Sequence, residues 1–193
     1  MDVYEFGAKR GNEMTIYIAL LRGINVSGHN KIKMAELRGM LETLGLSRVQ
    51  TYIQSGNILF ESGEGRETLR IRIEDEIRTA FGLSITVVLR TAEELERIIA
   101  DCPYGNIALR EGESVHVSVL TEAPPQKVID LLADSERDND EYRINGSEIY
   151  FLFRQSILDS KLGKKLQKLG NTVTTRNWTT INKLAALAKA MQA

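Results

Sequence analysis

The chain has 193 residues, 42% of them hydrophobic and 26% charged, which suffices for one large or two small globular domains with a buried core. No stretch approaches the roughly 20 apolar residues of a membrane span, and the start MDVYEFGAKRGNE lacks the apolar run of a secretory signal. A cytoplasmic protein with no membrane partner is therefore expected. The lone cysteine, Cys102, excludes an intramolecular disulfide and a cysteine-based zinc cluster, and two histidines without a carboxylate pattern give no reason to expect a metal or other cofactor.

Residues 1–13 carry no periodic pattern and are expected to form a loosely ordered leader, with Met14 as an older start. Residues 15–20 read as a strand. A helix over 34–44 places Met34, Leu37, Leu41 and Leu44 on one face and stops at Gly45. The β-rich runs 49–54 and 58–61 are joined through Ser55-Gly56-Asn57 as a hairpin. A helix over 66–81 turns Leu69, Ile73, Ile77 and Ala80 inward, and a strand over 84–89 completes a βαββαβ order, the ferredoxin-like arrangement. The helix expected over 91–101 opens with a capping box, Thr91 followed by Glu94.

The same order recurs in the second half. A strand over 115–120 leads to a helix over 124–133 opened by prolines, then to a hairpin of 142–145 and 148–153 turning at Asn145-Gly146. A helix over 160–169, a strand over 172–175 and a helix over 178–191 follow. Tyr52, Gly56 and Phe60 match Tyr142, Gly146 and Tyr150 at a constant spacing of 90, while Thr86, Arg90, Leu95 and Ile98 match Thr172, Arg176, Ile181 and Leu184 at 86. The fold class expected is α+β: two ferredoxin-like βαββαβ halves, over 14–101 and 102–193, with antiparallel sheets, helices on one face of each, and an internal duplication relating them.

Between the first strand and first helix runs a glycine- and asparagine-rich loop, Arg22-Gly23-Ile24-Asn25-Val26-Ser27-Gly28-His29-Asn30-Lys31. In the expected topology the first strand and the hairpin's first strand run the same way, so this loop faces Gln54, Ser55 and Asn57 across one concave surface. Its backbone amides, the Arg22 guanidinium and the Lys31 ammonium suit a phosphate or carboxylate, with Asn25, Asn30, Gln54 and Asn57 fixing orientation. The loop is not a P-loop, because His29 and Asn30 separate Gly28 from Lys31 and Ile32 follows where serine or threonine is needed. The same glycines and asparagines also suit a tight loop that serves only its own backbone, and both readings stand.

A second unusual segment is Thr174-Thr175-Arg176-Asn177-Trp178. Asn177 suits the cap of the last helix, with Arg176 beside the free amides at its start, and Trp178 suits either packing onto the sheet or stacking on a base. The net charge of −1 conceals a basic end: Arg154, Lys161, Lys164, Lys165, Lys168, Arg176, Lys183 and Lys189 against one acid, Asp159. His29 could act as a general acid or base, but Ser27 and Ser55 have no visible activating group, and no reaction can be assigned.

The strings ALLRGIN, GHNKIKMAEL, TYIQSGNILF and TTRNW, in that order, make the chain resemble the bacterial domain-of-unknown-function family numbered 1697. The resemblance implies a cytoplasmic α+β protein and carries no assigned reaction. The family's patterned positions fall on Arg22, Gly23, Asn25, Gly28, Asn30, Lys31, Gln54, Ser55, Gly56, Asn57, Thr175, Arg176, Asn177 and Trp178, while Ser27 stands where the family usually has glycine. Three functions are open at this level. The first is recognition of a small anionic ligand by the loop and hairpin tip, closed by Thr175, Arg176 and Asn177. The others are nucleic-acid binding through the basic end, and a homodimeric adaptor with no ligand.

Overall fold

The computed structural model describes residues 13–133, 139–170 and 172–193. The expected leader over 1–13 therefore lies outside the described residues, save Glu13. The first half runs β1 (Thr15–Leu21), α1 (Met34–Thr43), β2 (Ser47–Tyr52), β3 (Asn57–Ser62), α2 (Arg66–Phe81), β4 (Val87–Thr91) and α3 (Ala92–Ala100). The second runs β5 (Ser114–Val119), α4 (Gln126–Ala133), β6 (Glu141–Asn145), β7 (Glu148–Phe153), α5 (Lys161–Lys168), β8 (Thr174–Asn177) and α6 (Trp178–Gln192). Two antiparallel sheets result, ordered β2-β3-β1-β4 and β6-β7-β5-β8, the same ferredoxin-like arrangement twice and consistent with two similar halves.

Each sheet is buried on both faces, which explains the near-continuous apolar run of β1. Tyr17, Ala19 and Leu21 point to α1 and α2, while Ile18 and Leu20 point the other way. In the second sheet Ile149, Phe151 and Phe153 meet α4 and α5, and Val115, Val117, Val119, Tyr150 and Leu152 face inward. The βαββαβ units thus keep their helices on one face, as expected. The opposite faces are covered by α3 and α6, which pack on each other in a layer shared by both sheets. That shared layer, to which Trp178 contributes, fixes one half against the other.

Both closing strands sit later than the apolar pattern suggests, because pairing with β1 and β5 decides their register. Leu20 pairs with Val88 and Val119 with Thr174, so each strand continues to the residue that caps the next helix. Thr91 Oγ1 accepts from Glu94 N at 3.2 Å while Thr91 N donates to Glu94 Oε2 at 2.9 Å, and Asn177 Oδ1 accepts from Thr180 N at 2.8 Å. These two strands keep the spacing of 86. The hairpins do not keep 90: Leu20 pairs with Asn57 and Val119 with Glu148, so Phe60 corresponds to Phe151 rather than to inward-facing Tyr150. The first turn, Ile53 to Gly56, is also longer than the second, Gly146-Ser147.

Candidate functional site

The loop after β1 is shaped by left-handed backbone. Gly23, Asn25, Ser27, Gly28 and Asn30 all have φ between 47° and 78°, a region in which asparagine is better tolerated than other side chains. Asn25 Oδ1 accepts from Ile32 N at 2.9 Å, and its Nδ2 donates to Ile32 O at 3.0 Å and to Gln54 O at 2.8 Å. Asn30 Nδ2 donates to Gly23 O at 3.1 Å, and Leu21 N donates to Gly56 O at 2.9 Å. The loop and the hairpin tip are therefore neighbours, tied together by an asparagine side chain and by a backbone hydrogen bond at the end of β1.

Onto this junction the second half sends Arg176 from β8. It is buried, 8% exposed, and its Nε donates to Asn57 Oδ1 at 2.6 Å. Nη2 donates to Leu21 O and Ser55 O, both at 2.8 Å, and Nη1 to Thr175 O at 2.9 Å. All of these partners are neutral. Burial pulls the guanidinium pKa down to about 10, so the positive charge persists near neutrality in a place that disfavours it. Arg90, at the corresponding place on β4, donates to Leu120 O at 2.6 Å, to Ser147 Oγ at 3.0 Å and to Glu148 Oε1 at 2.8 Å. The two arginines each cross to the other half's first strand and hairpin tip, but only Arg90 meets a carboxylate there.

Beside Arg176 opens a cleft of about 730 Å³. One wall is the loop, the other is β8, α5 and Ile157. Arg22, half-buried, donates Nε–H to Thr174 Oγ1 at 3.2 Å across the floor; burial lowers its pKa and the Glu74 carboxylate opposes that shift. Thr175 Oγ1 lies 2.6 Å from Ser118 Oγ. Among the described residues that line the cleft there are two arginines and no carboxylate. A second depression of about 280 Å³, beside Arg90, mixes Arg66 and Arg97 with Glu94, Asp101 and Glu148 and so has no such bias.

Six of the residues singled out from the sequence meet at the cleft: Arg22, Gly23, Asn30, Ser55, Thr175 and Arg176. Others form its frame. Asn25 and the Gln54 carbonyl hold the loop to the turn, Asn57 is fully buried under Arg176, and Asn177 caps α6. Gly28 and Lys31 are exposed and do not line it. Pattern reading missed Ile157, Leu166 and Val173, since apolar residues around an amphipathic helix read as core and nothing in the sequence ties α5 to the first loop. Ser27 and His29 line the cleft as well. At the basic end, Trp178 packs against the central layer and Arg176 is enclosed, while Lys164 and Lys168 on α5 and Lys183 and Lys189 on α6 are exposed in different layers. Among the described residues no three histidine, cysteine or acidic side chains gather for a metal, and no helix is long and apolar enough to cross a membrane.

A pair of ferredoxin-like units locked through a shared helical layer, with a cleft at their junction that has no acid among its described lining residues, is the class of α+β protein defined by this geometry. The chain belongs to the family described as Protein of unknown function (DUF1697), whose model matches residues 14–150. The matched segment holds the loop and the hairpin; Arg176 lies beyond it. The chain is also similar to a solved structure, that of the conserved bacterial protein SP0830 from Streptococcus pneumoniae, at 29% identity and a TM-score of 0.78, covering 91% of this chain and 99% of that one. No curated protein matches.

Proposed function

We propose that the protein recognises a small anionic ligand, one bearing a phosphate or carboxylate, in the cleft between the first strand-helix loop and the β8–α5 segment. The observation that carries this reading is the Arg176 guanidinium: it is buried among neutral acceptors, in a cleft whose described lining residues include a second arginine and no acid. A buried charge without a counter-charge is costly, and an incoming anion relieves that cost while gaining charge-assisted hydrogen bonds. Arg22 lies at the same floor, and the hydroxyls of Ser55 and Thr175 add donors of the kind that orient an oxyanion. We read the two halves as an internal duplication in which the Arg90 position is neutralised by Glu148 and the Arg176 position is left for a ligand.

The test is a thermal-shift panel of phosphate and carboxylate compounds on the wild type and on Arg22→Ala. A ligand at a hundred times its Kd adds about 2.7 kcal/mol of stability, enough to raise Tm by several degrees. The expected result is a rise that Arg22→Ala abolishes or strongly weakens. No response to any anion, or an undiminished response in the variant, overturns the proposal; so does tight binding of RNA or DNA that falls steeply with salt in place of small-anion binding.

A further inference from the structure

Resting on the anion-binding reading, we infer that the ligand's anionic head is joined to an apolar body, of the size of a phenyl or branched alkyl group. The head faces Arg22 and Arg176, and the surface of the cleft as a whole is more apolar than polar. Ile24, Val26, Ile157, Leu166 and Val173 contribute to it, beside the polar side chains of Ser27, His29, Asn30 and Gln167. Phosphate alone would leave the apolar part of that surface wet, and the hydroxyls of a sugar phosphate gain nothing from it. The volume of about 730 Å³ falls in the range of sites that enclose an organic molecule, which are characteristically apolar with a few placed polar groups.

Two features make the apolar wall a built surface. Val26 is 57% exposed although it is flanked by residues in left-handed backbone, Asn25 and Ser27, so the loop holds an apolar side chain out toward solvent at the cleft's rim. Across from it, α5 rests directly on the Ile157 backbone: a Cβ on Gly163 would overlap the Ile157 carbonyl oxygen. That close approach sets Ile157 against the helix and keeps the wall in place before a ligand arrives. A cationic floor with an apolar surround selects an amphipathic anion over an equally charged hydrophilic one.

The experiment is calorimetric titration of the full chain with inorganic phosphate, ribose 5-phosphate, phenyl phosphate, phenylacetate and uncharged phenol, repeated on Val26→Ser, which alters a solvent-exposed side chain and leaves the core untouched. Phenyl phosphate or phenylacetate is expected to bind at least about tenfold tighter than ribose 5-phosphate, with Val26→Ser erasing most of that advantage and leaving ribose 5-phosphate unchanged. Equal or tighter binding of ribose 5-phosphate overturns the inference and leaves the anion site standing. A phenyl preference that survives Val26→Ser also overturns it, because the apolar body then lies elsewhere. If no anion binds, or phenol binds as tightly as phenyl phosphate, the anion-binding reading falls and this inference falls with it.

Discussion

Arg176 donates its Nε–H to the amide oxygen of Asn57 at 2.6 Å, whereas Arg90, its counterpart on β4, donates to the carboxylate of Glu148 at 2.8 Å. Asn57 pairs with Leu20 and Glu148 with Val119, so the two acceptors hold the same place in the two sheets. One side chain therefore separates a neutralised arginine from an uncompensated one. Asn57 also donates Nδ2 to Tyr52 O at 3.0 Å and to Ser55 Oγ at 2.9 Å, a use of the amide that a carboxylate cannot copy.

Asn57→Asp places a negative charge where Arg176 has only an amide oxygen. The variant carries an internal competitor for any anion, so affinity for a phosphate or carboxylate ligand is expected to fall at least about tenfold, read by titration calorimetry. If affinity stays unchanged in a variant whose circular dichroism matches the wild type, Arg176 is not the ligand's counter-charge.

Glu148→Gln creates the converse situation. Arg90 keeps an acceptor but loses its counter-charge, with both side chains largely out of water at 8% and 15% exposure. A loss of about 1–3 kcal/mol in urea unfolding is expected, with the denaturant slope unchanged. A change within a few tenths of a kcal/mol would mean that solvent screens the pair as it screens surface ion pairs.

Gly23 and Gly56 both have positive φ, +64° and +81°, yet a methyl group should affect them very differently. At Gly23 a Cβ meets nothing within 4 Å, so Gly23→Ala is expected to cost only the conformational term, about 1–2 kcal/mol. At Gly56 it would lie 2.7 Å from Ile24 Cδ1 and 2.8 Å from Leu21 Cβ, adding overpacking of about 1–3 kcal/mol to the same term. Equal destabilisation of the two in chemical unfolding would show that the hairpin tip yields and does not fix the loop.

How far the sequence can be read depends on whether a signal is local. Helix caps and turns were legible because Thr91 and Glu94, or Asn177 and Thr180, are three residues apart and settle their geometry between themselves. Strand order followed from the βαββαβ pattern, and with it the meeting of the first loop and the hairpin tip. Register was less accessible: the constant spacing of 90 spans turns of different length, and only pairing shows that Phe60 answers to Phe151. The contribution of α5 to the cleft and the layer formed by α3 and α6 depend on contacts between residues far apart in the chain, on which periodicity is silent. Arg176 was recognisable as unusual, but its lack of a carboxylate partner is a three-dimensional fact.

His116 supplies a prediction independent of the cleft. It lies half-buried on β5, its ring edge-on to Phe153 with centroids 5.4 Å apart, and among the described residues no hydrogen-bond partner reaches its buried Nδ1. Burial depresses its pKa below the usual 6.5. Above pH 6.5 the imidazole is neutral whether the chain is folded or not, and it contributes its full share to stability. As pH falls through 6.5 the unfolded chain takes up the proton first, so stability declines until the depressed folded-state pKa is passed, where the decline levels off. His116→Phe removes the titrating group and is expected to flatten the unfolding free energy between pH 6.5 and 5, measured by urea titration at half-unit steps. Carboxylates such as Glu94 act at lower pH: burial raises its pKa, but hydrogen bonds from Arg66 and the Thr91 backbone outweigh this and leave it lowered, so its contribution disappears only as pH falls below the ordinary carboxylate range. An identical slope in wild type and variant above pH 5 would mean that His116 is solvated enough to protonate equally in both states.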